Sequence, residues 1–98
     1  MNNFNFAGQI YNLETRQTKA GKPFCTFNLV AEEVYKNESR PIVIKMTAFN
    51  QASDTIMSFG EGADVIVSGK LDSREYQGKH YPDFKIFEVK SYGTNQKA

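Results

Sequence analysis

From Asn3 to Thr18 the chain alternates loosely, with Phe4, Phe6, Gly8 and Ile10 on one parity, and the alternation stops at Lys19-Ala20-Gly21-Lys22-Pro23. Side chains two apart on a strand share a face, and Gly and Pro punctuate turns, so the pattern predicts a first strand closed by a turn. Phe24 to Tyr35 repeats it, with Cys25, Phe27 and Leu29 on one face and Thr26 and Asn28 on the other, before the polar break Lys36-Asn37-Glu38-Ser39. A second strand, hairpinned to the first, is expected there. Pro41 to Phe49 sets Ile42, Ile44, Met46 and Ala48 against Val43, Lys45, Thr47 and Phe49. The third strand is therefore expected to be half exposed, with Lys45 and Phe49 sharing its less buried face.

The period then changes. Ala52, Ile56 and Phe59 fall at i, i+4 and i+7 between Gln51 and Phe59, and Gly60 and Gly62 end the pattern, which predicts a two-turn helix with a glycine stop. Val65, Val67, Gly69 and Leu71 form the inward parity of a fourth strand. A Gln77-Gly78-Lys79-His80 turn leads to a fifth strand, Tyr81 to Tyr92, with Pro82 near its start, where a missing amide donor matters least. Three strands, a short helix and two more strands is the order of an all-β, five-stranded OB-fold Greek-key barrel. Residues 1–93 are read as that single domain and residues 94–98, Thr94-Asn95-Gln96-Lys97-Ala98, as a short polar tail that frays.

Composition narrows the class. Ninety-eight residues make one domain, which buries roughly 60 to 65% of the unfolded chain's surface. Eight Phe and five Tyr, with no Trp, favour a sheet. The net charge is only +1, so any nucleic-acid site must be a local patch on one face, and weak affinity for duplexes follows. One cysteine, Cys25, allows no internal disulfide, and with the single histidine, His80, it is too little for a zinc cage. Cys25 shares parity with Phe27 and Leu29 and is expected to be a small buried hydrophobe. The start Met1-Asn2-Asn3-Phe4-Asn5-Phe6 has no signal-peptide character and no long apolar run follows, so a cytoplasmic protein without membrane attachment is expected.

The stretch Gly69-Lys70-Leu71-Asp72-Ser73-Arg74-Glu75-Tyr76 places Lys70, Arg74 and Tyr76 on one strand face. Cations beside an exposed ring suit a single-stranded nucleic acid, whose backbone is anionic and whose unpaired bases have free π-faces. An ordinary solvated strand ending in a core tyrosine gives the same pattern. Lys36, Arg40 and Lys45 join Lys70 and Arg74 as candidate phosphate contacts. Phe24, Phe27, Phe59, Phe84 and Phe87 are assigned to core or interface. Catalysis has no support: Glu32 and Glu33 are strand neighbours that point to opposite faces, and His80 has no nucleophile that the sequence places beside it. No enzyme activity, cofactor or metal is expected.

The chain also resembles the bacterial and phage single-stranded DNA-binding proteins, from about Phe6 to Tyr92. Arg16, Thr18, Gly21, Phe27 and Leu29 are similar to the family's R-x-T-x-x-G-x5-F-x-L run, and Tyr35-Lys36-Asn37 to the aromatic-Lys-Asn end of its second strand. Gln51-Ala52 with Gly62 resembles its short helix, and Gly69-Lys70-Leu71 with Ser73-Arg74 and Tyr76 resembles its G-[RK]-L-x-[ST]-R-x-aromatic strand.

The resemblance implies an OB-fold that binds single-stranded DNA without strong sequence preference and protects it during replication, recombination or repair. It assigns Tyr35 and Tyr76 to base stacking, and Phe49 too if the turn is one residue shorter than the family's. It further implies a homo-oligomer, tetramer or dimer, for which the exposed-parity Phe24 and Val43 offer an interface. The hairpin after Tyr76 looks short, so a smaller footprint per subunit is expected. The acidic tip by which cellular members recruit partners has no counterpart in Thr94 to Ala98, which points to a phage, prophage or plasmid version or to a truncated form. Two other readings stay open, a primosomal-type OB assembly protein acting on single-stranded DNA and an RNA-binding OB chaperone.

Overall fold

A computed structural model describes residues 3–91, the side chains of Glu33 and Tyr35 excepted. The elements run β1 (Phe4–Gln17), β2 (Pro23–Tyr35), β3 (Glu38–Phe49), α1 (Asn50–Phe59), β4 (Asp64–Tyr76) and β5 (Lys79–Ser91). The strands close in the order β1-β2-β3-β5-β4, the five-stranded OB barrel with one short helix between β3 and β4. Tyr92 and the tail 94–98 lie outside the described residues.

Each strand boundary follows from a local cause. The β1–β2 turn is held by Thr18, whose amide donates to the Lys22 carbonyl at 2.9 Å and whose Oγ1 accepts from the Lys22 amide at 3.1 Å. The polar break expected over Lys36 to Ser39 is shorter in the structure. Lys36 (φ 50°) and Asn37 (φ 66°) are both left-handed, the geometry of a two-residue hairpin turn whose twist matches that of the strands. Pairing therefore resumes at once with Tyr35 opposite Glu38, and β3 starts at Glu38 rather than Pro41. The second hairpin repeats this device. Gln77 (φ 52°) and Gly78 (φ 78°) make the turn, and β5 begins at Lys79 opposite Tyr76 rather than at Tyr81.

β1 has to serve two neighbours. Phe4 to Gln9 pair with β4, while Gln9 to Gln17 pair with β2. The register shifts between Tyr11 and Glu14, where Asn12 takes φ 54°. An extra residue on one strand bends it and raises its twist, which lets β1 curl across the barrel. The core packs inside from all the strands: Ile10, Cys25, Phe27, Leu29, Met46, Ala48, Val65, Val67 and Ile86 are buried, and α1 adds Ala52 and Ile56. Phe59 packs partly buried against this cluster, and the Gly60 amide closes the helix by donating to the Ile56 carbonyl at 3.0 Å. The inward parity outruns the barrel at both hairpins. Ile42 and Leu71 carry the expected parity yet are 38% and 40% exposed, because the β2–β3 and β4–β5 arms extend past the closed part.

Cys25 is fully buried. Desolvation raises its thiol pKa above the ordinary value, Asp54 adds to the rise, and the contact with Ser53 opposes it. The thiolate is the reactive form, so native protein is expected to resist an aromatic disulfide reagent and to react only as fast as it unfolds. Immediate stoichiometric labelling in buffer would contradict this packing. Among the described residues no helix is long and apolar enough to cross a membrane, and no group of three or more His, Cys, Asp or Glu is placed to hold a metal ion.

Candidate nucleic-acid interface

Paired residues on neighbouring strands carry their side chains on the same sheet face, and successive residues alternate. Register therefore maps the outer surface of the barrel. Across β2 and β3, Phe24 lies opposite Phe49, Thr26 opposite Thr47 and Asn28 opposite Lys45. The parallel contact of β3 with β5 then sets Thr47 beside Lys85. Across β5 and β4, Lys85 lies opposite Lys70, Asp83 opposite Asp72, Tyr81 opposite Arg74 and Lys79 opposite Tyr76. Since Gly69 and Ile86 between them are buried, this second set faces outward. Lys45, Phe49, Lys70, Arg74 and Tyr76 thus lie on one continuous face that spans both hairpins.

The other three sequence candidates sit on the β2–β3 arm. Lys36 is in its two-residue turn. Arg40, opposite Glu33, has the parity of Ile42 and Ile44 and so lies on the side of β3 away from Lys45. Tyr35 ends β2 opposite Glu38, and its side chain is outside the described residues.

Four residues outside the nucleic-acid contacts expected from the sequence belong to the same face. Phe24 stacks on Phe49, with ring centroids 5.2 Å apart and planes 26° from parallel. Arg16, paired with Phe24 across β1 and β2, donates from Nε to Thr26 Oγ1 at 3.4 Å and from Nη2 to Glu14 Oε1 at 2.6 Å. Tyr81 is exposed opposite Arg74, and the half-buried Lys85 lies opposite Lys70. Phe24 was legible, because it shares the outer parity of Thr26 and Asn28. Lys85 and Tyr81 needed the turn placed at Gln77-Gly78, after which counting backward along β5 sets each opposite its partner.

Ring size and charge are arranged differently along this face. Tyr76 is 62% exposed, a free ring at the end of β4. Lys85 is held from below: its neighbour Phe84 points inward and meets Phe4 and Phe6 edge-on, with centroids 5.5 and 6.5 Å away. The Lys85 Nζ reaches Asp72 Oδ2 at 3.3 Å, and the Ser73 amide donates to Asp72 Oδ1 at 2.9 Å. The Ser73 hydrogen bond first, and then Lys85, hold the Asp72 carboxyl below its ordinary pKa. A surface with free and stacked rings set among ammonium and guanidinium groups can take up unpaired bases and phosphates together.

The chain matches the model of the single-strand binding protein family over residues 1–91. It belongs to that family. A solved structure described as a Plasmodium falciparum SSB complex with ssDNA shares the fold, with a TM-score of 0.78 and 17% identity over 95% of this chain and 96% of that one. No curated protein matches the chain. Single-strand binding is the property for which the family is named, and the β4 stretch Gly69 to Tyr76, read as a family-like motif, places Lys70, Asp72, Arg74 and Tyr76 on the outer face of this member.

Proposed function

We propose that this chain binds single-stranded DNA without strong sequence preference and protects it during replication, recombination or repair. Tyr35, Phe49 and Tyr76 are assigned to stacking on bases, and Lys45, Lys70 and Arg74 to phosphate contact on the outer face. Lys36 and Arg40 are assigned to phosphates where the strand passes round the β2–β3 arm. Phe24, Tyr81 and Lys85 join the site by position. The observation that carries the proposal is the register that sets exposed Tyr76 and the Phe24–Phe49 ring pair on the same face as Lys45, Lys70 and Arg74. In a duplex the bases are stacked on one another, so these rings have no partner there; on a single strand each stacked base contributes about 1 to 3 kcal/mol.

The role is binding, not turnover, and it suits a cytoplasmic protein. Homo-oligomer formation is part of the proposal, supported by Val43, which stands 58% exposed on the outer side of β3.

The test is affinity for oligothymidylate, duplex DNA and single-stranded RNA of equal length at one salt concentration. Three stacked bases at about 1 to 3 kcal/mol each predict a preference for oligothymidylate over duplex of at least about two orders of magnitude. Equal affinity for single strand and duplex would overturn the proposal, and preference for the RNA would replace DNA as the substrate.

A further inference from the structure

We propose that Asp72 is a built-in competitor of phosphate, resting on Lys85 in the free protein and displaced when a strand binds, so that it sets how tightly the outer face holds DNA. The inference rests on the reading of that face as the single-stranded DNA site.

Charges alternate by rows where β4 meets β5. Lys70 faces Lys85 in one row and Asp72 faces Asp83 in the next. Like charges directly opposite each other across a ladder are unfavourable. The contact that relieves the arrangement is diagonal, from Lys85 Nζ to Asp72 Oδ2 at 3.3 Å. Its geometry is prepared: the Ser73 amide holds Asp72 Oδ1 at 2.9 Å, which aims the other oxygen at the lysine. A carboxylate oxygen so oriented offers an ammonium what a phosphodiester oxygen offers, one anionic acceptor at hydrogen-bond distance.

The two members are half exposed, with side chains 39% and 46% accessible, so the pair is weak enough for a strand to break. Lys85 sits on a flexible stem and can turn from carboxylate to phosphate. Once it turns, Asp72 is left beside the DNA backbone. Asp72 therefore lowers affinity in two ways, by occupying Lys85 beforehand and by repelling phosphates afterwards. Asp83 shares the face and the charge, whereas the Lys85 ammonium is bonded to Asp72, so Asp83 separates the two effects.

The experiment measures oligothymidylate affinity against salt for wild type, Asp72→Asn, Asp83→Asn, Lys85→Ala and Asp72→Asn combined with Lys85→Ala. Asparagine keeps the acceptor for the Ser73 amide and the shape of the side chain, so folding is preserved. Releasing Lys85 should tighten binding by about two- to fivefold with little change in the log-log salt slope, since Lys85 meets phosphate in the complex of either protein. The gain should exceed that of Asp83→Asn and should fall by at least about half in the Lys85→Ala background, since only a pair that exists can be broken. An equal gain with and without Lys85, an equal gain for the two asparagine variants, or no gain from Asp72→Asn, overturns the competitor role while leaving the site assignment standing. Failure of the wild type to bind oligothymidylate overturns the site and the competitor together.

Discussion

Tyr76→Ala is expected to weaken binding to oligothymidylate by about 1 to 3 kcal/mol, roughly 5- to 150-fold, while the dependence of affinity on salt stays almost unchanged. The ring is 62% exposed at the end of β4, so its removal takes little from the core and the variant should fold normally. Stacking displaces no counterions, which is why the loss is uniform across salt. Lys70→Ala and Arg74→Ala, on the same face of the same strand, should do the opposite, each flattening the log-log slope by about 0.7 through one lost phosphate contact. With Lys36, Arg40, Lys45, Lys70 and Arg74 all engaged, the wild-type slope should lie near −3 to −4. A Tyr76→Ala protein that is folded by circular dichroism and binds like the parent would remove the stacking assignment. Loss of the folded signal would instead place the ring in the core.

Gly69→Ala is expected to lower unfolding stability by about 3 kcal/mol, seen as a drop in the urea midpoint without a change of slope. Gly69 is buried where β1, β4 and β5 meet, opposite Phe4 on one side and Ile86 on the other. A methyl group there would run into the backbone carbonyl of Lys85 and the ring of Phe4. The ladder register shifts at this point, since Ser68 faces Glu88 and Gly69 faces Ile86, so Phe87 is an extra residue on β5. The carbonyl cannot move without undoing that bulge and displacing Lys85, so oligothymidylate affinity should fall with stability. Gly78→Ala is the control. Gly78 has φ 78° with open space around it, so the cost is local backbone strain alone, about 1 to 2 kcal/mol, with DNA binding little changed. A Gly69→Ala protein as stable as the parent would show that the close approach of β4 and β5 is not a constraint on the barrel.

What the sequence determined by itself is what neighbouring residues settle among themselves. The period-two alternation of Cys25, Phe27 and Leu29, or of Val65, Val67 and Gly69, specifies a strand and its inner face, because burial of one side of a pleated chain has no other solution. The change of period from Ala52 to Phe59 and the glycines after it specify α1 in the same way. The common face of Lys70, Arg74 and Tyr76 is likewise a property of one strand, and the order of three strands, a short helix and two strands was legible from the same pattern.

The length of the arms was less legible. Polar residues such as Lys36 to Ser39 read as loop, yet a two-residue left-handed turn lets pairing run to the tip, and only the backbone angles of Lys36 and Asn37 reveal it. The tertiary structure alone decided how the hairpins meet. Among the described residues β3 and β5 pair in parallel through Met46, Thr47 and Ala48 against Phe84, Lys85 and Ile86, with α1 and β4 between them in the chain and no turn to fix their register. Closure of the barrel around Phe27, Met46 and Val67 sets that register. It thereby places Lys85 between Thr47 and Lys70 and joins the Phe24–Phe49 rings to Tyr76 on one surface. A sequence states which way each side chain faces along its own strand, whereas which strands share a surface depends on the shape that the whole core can fill.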